Sequence, residues 1–146
     1  MMEETIARYG DGLNYDSDTP EDFVEKKNRM REACKKFGRD FDELKWSIYL
    51  STSVIGENDD DFEEKKKDLL NQHWLFTEIT DEWKPKVMEA MLKQSVSGTI
   101  DTVVEELSKY KNEVDIMVLG LPHMGDLLKN GLENIKILKE KIIPGL

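Results

Sequence analysis

A histidine is the natural side chain for proton transfer near neutral pH, and one of the two in this sequence follows a strongly apolar run. His123 lies in Gly120–Gly125, a loop directly after Val114–Leu119. If that run is a buried strand of a parallel sheet, the loop lies at its carboxyl end, where α/β folds bind ligands. His123 could then act as an acid or a base. Since the sequence shows no partner for it, the alternative is that His123 is simply solvated.

Three consecutive carboxylates, Asp59–Asp61, could be read as ligands of a divalent cation. The spacing of an EF-hand is absent, however. Acidic residues are also favoured in the first turn of a helix, where they face the positive end of the dipole, and Lys65–Lys67 could pair with acids one turn earlier. We therefore expect a helix that is capped by Asn58 or Asp59, and no metal site.

The single cysteine, Cys34, could in principle be a nucleophile. It falls on the apolar stripe of a predicted helix, together with Phe23, Met30 and Phe37. No histidine or second cysteine lies near it in the sequence to activate the thiol. We therefore expect Cys34 to belong to the hydrophobic core.

No other recognised catalytic constellation is present. Walker, HExxH and GxSxG patterns are all missing from the sequence, which removes the usual signatures of phosphate-loop, zinc-protease and serine-hydrolase chemistry. The remaining candidates for ligand contact are three aromatic residues in the middle of the chain, Trp74, Phe76 and Trp83. They are either core packing or one wall of a ligand pocket.

Composition narrows the classes of function further. A chain of 146 residues suits one domain, residues 1–146, and the net charge of -10 argues against binding to nucleic acid or to an anionic membrane. One cysteine cannot form an internal disulfide, so a reducing cytoplasm is expected. No apolar run approaches a membrane span, and the amino terminus has no signal-peptide pattern.

The elements that would position these groups alternate between strands and helices. Thr19 and Pro20 predict a helix start, Gly38 a helix end, and Thr99 a second helix cap. The alternation indicates parallel β/α units. The predicted strands are Gly10–Tyr15, Trp46–Ile55 and Val114–Leu119, and further helices begin near Asn58, Thr80 and Asp126, the last with an inner stripe of Leu127, Leu128, Leu132, Ile135 and Leu138.

Short motifs occur in a defined order along the chain. The first are Ile6–Asn14 (IARYGDGLN), Thr19–Phe23 and Gly38–Asp40, and the later ones are Val54–Gly56, Gly98–Thr99, Val114–Leu119 and Ile142–Pro144. This series resembles the C-terminal half of luciferase-like flavin- or deazaflavin-dependent oxidoreductases, in which an A-R-Y-A-D-G-W-N strand precedes a helix ending in G-R-D. The sequence departs from that pattern with Gly10 for Ala, Leu13 for an aromatic residue and Ile100 for Pro.

The resemblance implies part of a (β/α)8 barrel that uses FMN or coenzyme F420 for hydride transfer or monooxygenation. A full barrel takes roughly 250 residues, so this chain would supply about three parallel strands with surrounding helices. It also implies that Asn14 and Tyr15, after the first strand, and Gly98 and Thr99, at a helix start, lie near the phosphate-bearing tail of the cofactor. A helix N-terminus offers free N–H groups to an anion. The structural alternatives are a turn that begins a loop, and a helix cap with its flexible lead-in.

Two functions remain open at this point. The chain is either the cofactor-binding part of an oxidoreductase or a non-catalytic half-barrel subunit that acts through assembly. A short parallel sheet leaves unpaired edges and exposed apolar surface, which soluble proteins avoid. We therefore expect the chain to pair with itself or with a separate N-terminal half-barrel chain. No catalytic residue is predicted.

Overall fold

The computed structural model describes residues 2–16, 19–72, 74–120, 132–133 and 135–146, the side chains of residues 72 and 74 excepted. The chain divides into two compact units. The first comprises residues 1–50 and 109–118, and the second comprises residues 51–108 and 119–146. A single domain over residues 1–146 therefore stays a prediction.

Through the described residues the strands are separated by helices, one or several at a time, as the sequence predicts. In chain order they are α1 (Met2–Tyr9), β1 (Gly12–Asp16), α2 (Pro20–Phe37), β2 (Lys45–Gly56), α3 (Asp59–Gln72), α4 (Trp74–Thr77), α5 (Lys84–Lys93), β3 (Val96–Thr99), α6 (Ile100–Ser108) and β4 (Ile116–Gly120). A 3-10 helix at Phe41–Glu43, a π-helical segment at Leu138–Ile142 and a 3-10 helix at Ile143–Gly145 complete the elements. No helix in this described part is long and apolar enough to cross a membrane.

The strands form a parallel sheet that is organised around β2. In the first unit β1 pairs with β2 from Gly12 opposite Lys45 to Asp16 opposite Tyr49. In the second unit β3 pairs with β2, with an irregular register between Thr52 and Ile55. The strand β4, which begins in the first unit and ends in the second, also pairs with β2. The predicted parallel β/α arrangement is confirmed. The sequence does not predict β3, because four residues, two of them Ser and Gly, carry little strand propensity.

The first unit is held by an aromatic cluster beneath α2. The ring of Tyr15 lies edge-on to Phe23 at 5.6 Å and is stacked with Trp46 at 6.3 Å. The ring of Phe41 lies 5.2 Å from Trp46. Cys34 is buried on α2, and burial raises the pKa of its thiol. The prediction that Cys34 is a core residue is confirmed.

The ends of α2 follow the sequence signals. The Asp22 N–H donates to the Thr19 hydroxyl at 3.1 Å, which satisfies one of the free amides of the first turn. At the other end Gly38 has φ 68, the left-handed conformation that glycine adopts at little cost. Next to it the Arg39 guanidinium donates to the carbonyls of Ile6 and Gly10, and so joins the end of α1 to the end of α2.

The core of the second unit is mainly aliphatic and contains one fully buried aromatic ring. Its buried cluster consists of Val54, Leu69, Phe76 and Met88. Phe76 is fully buried, so packing accounts for it, whereas Trp83 is exposed and carries Lys86 over its ring at 4.6 Å. The side chain of Trp74, the third aromatic residue, lies outside the described residues. The helix expected to begin at Thr80 begins instead at Lys84, after a turn.

The predicted inner stripe of the last helix is wrong in part. Leu138 is buried as expected, but Leu132 and Ile135 are exposed. The buried positions are Ile137, Leu138 and Ile142, and the last two belong to the π-helical segment. A π-helical turn widens the interval between side chains on one face, so Ile137 and Ile142, which the predicted stripe does not contain, are both buried. Leu127 and Leu128 lie outside the described residues.

Candidate functional site

The carboxyl ends of the parallel strands are the sites at which to look for ligand contacts. Asn14 and Tyr15 lie within β1, close to its carboxyl end, and not after the strand as the resemblance implies; Gly98 and Thr99 are the last two residues of β3. The structure therefore places each predicted pair at a strand end, one pair in each compact unit. His123 and His73 both lie outside the described residues.

Asn14 and Tyr15 point to opposite faces of the sheet, as successive residues of a strand must. The Asn14 side chain is exposed, and its Oδ1 accepts a hydrogen bond of 2.8 Å from the Ser47 hydroxyl on β2. Tyr15 is buried under α2, with Lys26 4.7 Å from its ring centre. Asn14 is thus available to a ligand, whereas the Tyr15 ring is explained by packing. Cofactor binding by either residue stays a prediction.

Gly98 occupies a position that requires glycine. Its φ of 143 is one that residues with a side chain rarely adopt, and a Cβ there would lie 2.9 Å from Thr102 Cγ2. It pairs with Ile55 of β2, and Thr99 pairs with Gly56. The chain therefore passes from β3 directly into α6 with no loop between them, and the backbone amides of that helix start lie at the strand end.

Thr99 is the cap of α6, as predicted. Its hydroxyl accepts a hydrogen bond from the Thr102 N–H at 3.4 Å and lies 3.1 Å from the Thr102 hydroxyl. Asp101 is an acidic residue in the first turn of the helix. The cap and the Asp101 carboxylate both stabilise the positive end of the helix dipole. Asp101 would also repel a bound anion, so the helix start is not an unopposed anion site.

A chain of hydroxyl groups fastens β3 to β2, and the sequence pattern does not predict it. The Ser53 hydroxyl donates to Ser95 Oγ at 2.7 Å, and Ser95 Oγ lies 2.8 Å from Ser97 Oγ. Ser97 Oγ in turn accepts from the Val54 N–H at 3.5 Å. The sequence does show a series of hydroxyl residues on β2. Their hydrogen-bond partners, however, lie in or next to β3, a strand that the sequence does not predict. These bonds lie where the register is irregular, and they compensate for ladder bonds lost there.

A partly buried lysine lies at the carboxyl end of β2. Lys65 Nζ donates to the Ile55 carbonyl at 3.1 Å and forms ion pairs with Asp61 at 3.1 Å and Glu133 at 3.5 Å. Burial raises the pKa of Asp61, but hydrogen bonds from the Glu57 N–H and Lys65 outweigh it and hold that pKa below its usual value. The acidic run is therefore a helix start, since Asn58 Oδ1 accepts from the Asp61 N–H. No cluster of metal-ligating side chains is found among the residues that the structure describes.

In the first unit, two carboxylates attach the segment before β4. Asp115 Oδ2 accepts from the Trp46 N–H at 2.8 Å, and its Oδ1 lies 3.1 Å from Lys45 Nζ. These two contacts hold the pKa of Asp115 below its usual value. Lys27 Nζ donates to both the carbonyl and the carboxylate of Glu113, at 2.8 and 2.9 Å. The role of these contacts is structural: they set the start of β4 against β2.

Comparison with known proteins gives a likeness in structure only. No family model and no curated protein matches the sequence. The chain is similar to a coenzyme F420-dependent tetrahydromethanopterin reductase from Methanopyrus kandleri, with a TM-score of 0.60 and 20% identity over 98% of this chain and 47% of that one. It is also similar to an F420-dependent secondary alcohol dehydrogenase in complex with an F420-acetone adduct, with a TM-score of 0.59 and 16% identity over 98% of this chain and 45% of that one.

These similarities concern the fold. At 16% to 20% identity they do not carry function, and the chain spans about half the length of both structures. They confirm the predicted fold class, which is an α/β chain with parallel strands that corresponds to part of a (β/α)8 barrel.

Proposed function

We propose that this chain is the C-terminal, cofactor-tail-binding portion of a luciferase-like oxidoreductase that depends on coenzyme F420. Two features support the proposal: the ordered motifs that resemble this family, and a fold similar to two proteins described as F420-dependent. FMN, the other cofactor that the motifs imply, has no such support. The single cysteine, which can form no internal disulfide, makes a cytoplasmic location part of the same proposal.

The observation that carries this proposal is the junction of β3 and α6. At Gly98 the backbone lies so close to Thr102 that there is no room for a Cβ. The helix α6 begins two residues later, at Ile100. The amides of that first turn are donors suited to a phosphate group. The residues present therefore fit the anionic tail of such a cofactor, with Asp101 in the first turn of α6 as an opposing charge.

The residues proposed to contact the cofactor are Asn14 and Tyr15 in the first unit and Gly98 and Thr99 in the second, and each pair is a separate proposal. Coenzyme F420 would supply hydride transfer when bound, and this chain would bind and orient its tail. We assign no catalytic residue to the described part of the chain. The reacting groups would come from the part of the fold that corresponds to the half of the similar structures that these residues do not span.

The direct test is a titration of the purified chain with coenzyme F420, followed by the absorbance and fluorescence of the cofactor. The informative variant is Asn14→Ala, because this exposed side chain can be removed at little cost in stability. We expect binding to weaken by about tenfold, the effect of losing one good hydrogen bond to the ligand. Asn28→Ala is the matched control, since Asn28 is an exposed residue of α2 that contacts Arg31, and its affinity should match that of the unsubstituted chain.

A second variant examines the helix start. Asp101→Asn removes the opposing charge, so we expect F420 to bind severalfold more tightly at low salt and the gain to shrink as salt is added. If neither variant changes the affinity, the proposed tail site is wrong even if the chain binds F420 elsewhere.

The second candidate function is that of a non-catalytic half-barrel subunit. The observation that favours it is length, because the chain spans about half of either similar structure. Catalysis depends on a preorganised site that excludes water, which half of such a fold does not enclose by itself. This candidate predicts that the assembled protein takes up neither F420 nor FMN at any concentration tested, whereas the first predicts uptake.

A further inference from the structure

The two faces of the sheet in the first unit differ in chemistry. The face that contacts α2 through Phe23 is apolar. Its buried side chains are Leu13, Tyr15, Trp46 and Ile48. On the other face the register places Asn14 opposite Ser47 and Asp16 opposite Tyr49. Parallel strands that are covered by an apolar layer on both faces are apolar on both. A polar face of this kind therefore indicates contact with water or with a polar ligand.

On this polar face the side-chain amide of Asn14 has its oxygen engaged. The Ser47 hydroxyl donates to Asn14 Oδ1 at 2.8 Å. The same hydroxyl lies 3.2 Å from the Leu13 carbonyl, which is also an acceptor, so Ser47 serves as a donor in both contacts. Within the described residues Asn14 Nδ2 has no acceptor. The side chain is exposed, so its two N–H donors are left for water or for a ligand.

We infer that Asn14 contacts its ligand as a hydrogen-bond donor, and that Ser47 is the residue that positions it. The ligand atom at this place is then an acceptor oxygen, which belongs either to a phosphate or to an uncharged carbonyl group. Ser47 need not touch the ligand, because it acts by holding the amide in the orientation that presents the donors. The inference rests on the proposed function, in which Asn14 contacts the cofactor, and it adds the direction of that contact and a second residue.

The first test observes the Asn14 amide directly, by NMR of the whole chain labelled with nitrogen-15. Its two side-chain N–H signals are the pair that is missing from the spectrum of Asn14→Ala. We expect at least one of them to move downfield when coenzyme F420 is added, because a proton that is donated to an oxygen is deshielded. The same titration with inorganic phosphate and with N-methylacetamide separates the two kinds of acceptor.

The NMR titration separates this inference from the proposed function. If F420 binds and the Asn14 amide signals do not move, the inference is wrong and the proposed function stands. If F420 does not bind but phosphate or N-methylacetamide moves the signals, the proposed function is wrong and the donor role of Asn14 is supported. If none of the three compounds moves the signals, the inference is overturned.

The second test exchanges the donor group for an acceptor. Asn14→Asp keeps the size of the side chain and an oxygen for Ser47, but a charged oxygen replaces the N–H2 group. F420 binding should weaken by more than the roughly tenfold expected of Asn14→Ala, since two acceptor oxygens repel one another. Asn28→Asp is the matched control, because it adds the same charge on the exposed surface of α2, and it should leave the affinity unchanged. Binding to Asn14→Asp that is as tight as binding to Asn14→Ala, or tighter, would overturn the donor role.

The third test examines Ser47 as a positioning residue. Ser47→Ala leaves Asn14 Oδ1 without its donor, so F420 binding should weaken by about threefold, whereas Ser47→Thr keeps the hydroxyl and should restore the affinity. In a chain that already carries Asn14→Ala, Ser47→Ala should have no further effect on F420 binding, because Ser47 acts through Asn14. An equal loss of affinity in both backgrounds would show that Ser47 acts on the strand pair in general, and would overturn the positioning role.

Discussion

The two compact units fasten their strands to β2 by different chemistry. In the first unit the segment before β4 is held by charged contacts, since Asp115 binds the Trp46 N–H and Lys45, and Lys27 binds Glu113; β1 has in addition the neutral bond from Ser47 to Asn14. In the second unit the contacts are neutral, through the hydroxyl chain of Ser53, Ser95 and Ser97. Charged contacts near solvent respond to salt and pH, whereas buried hydroxyl contacts do not. The two halves of one strand should therefore differ in their sensitivity to solution conditions.

The units also use positive-φ glycines differently. Gly38, in the first unit, has φ 68, and a Cβ added there would meet no described atom within 4 Å beyond its immediate chain neighbours. Gly98, in the second unit, has φ 143 and meets Thr102. One glycine is required by backbone conformation alone, and the other by conformation and packing together.

The largest expected effect is that of Gly98→Ala. Backbone strain and the contact with Thr102 Cγ2 should together lower the free energy of unfolding by about 3 kcal/mol. Gly38→Ala, which adds strain alone, should lower it by about 1 kcal/mol. Denaturant titrations of both variants check the difference. Adding Thr102→Ser to Gly98→Ala removes the crowding methyl and should restore part of the loss; no restoration would mean that conformation alone requires Gly98.

Lys27→Met should have the next largest effect. Lys27 is mostly buried and holds both the carbonyl and the carboxylate of Glu113, so its removal leaves those acceptors partly unsatisfied. We expect a loss of about 1–2 kcal/mol, measured by urea unfolding, and a smaller loss at high salt. Lys35→Met on the exposed surface of α2 is the control. Equal effects of the two substitutions would show that the contact with Glu113 contributes nothing.

Ser53→Ala examines the neutral contacts of the second unit. It removes one hydrogen bond while Ser95 keeps the Met91 carbonyl as an acceptor, so we expect a loss of about 1 kcal/mol. The distinguishing observation is that this loss should be the same at low and high salt. If the loss of stability caused by Ser53→Ala varied with salt as that caused by Lys27→Met does, the proposed contrast between charged contacts in the first unit and neutral contacts in the second would be wrong.

The smallest effect should come from Asp115→Asn: a small loss of stability near neutral pH that disappears in acid. Because the folded protein lowers the pKa of Asp115 below its ordinary value of 3.8, this carboxylate stabilises the fold above that pH, and the contribution is lost as pH falls through the lowered pKa. The variant should therefore lose stability less steeply below about pH 4. Some slope should persist, since the pKa of Asp61 is lowered as well. An unchanged slope would mean that Asp115 is equally easy to protonate in the folded and unfolded chain.

Local signals in the sequence predict the elements that local chemistry determines. Thr19, Pro20 and Gly38 bound α2 as expected, and Thr99 caps α6. The strand β3 depends instead on partners across the sheet, because Val96–Thr99 has no alternating pattern of its own. The residues that make Val96–Thr99 a strand lie in β2, so the sequence of Val96–Thr99 alone does not predict it.

At the candidate site, too, the local sequence predicts some features, whereas others depend on contacts with other segments. Strand periodicity implies that Asn14 and Tyr15 face opposite sides, and the structure adds that Tyr15 lies under α2. The need for glycine at position 98 depends on Thr102 and on the direct passage from β3 into α6, neither of which composition reveals. The sequence predicts that Lys65 pairs with an acid one turn earlier, but not its bond to the Ile55 carbonyl, which lies ten residues earlier in the chain.

Because Cys34 is buried, its rate of reaction with a thiol reagent would report how often the first unit opens. It is the one cysteine in the sequence, it has no exposed surface, and burial raises the pKa of its thiol. A thiol-reactive dye can therefore attack only when α2 lifts from the core, and the labelling rate measures how often that happens. A second cysteine placed on the surface would react at once, so a fluorophore could be attached there while Cys34 still recorded the slow opening of the first unit.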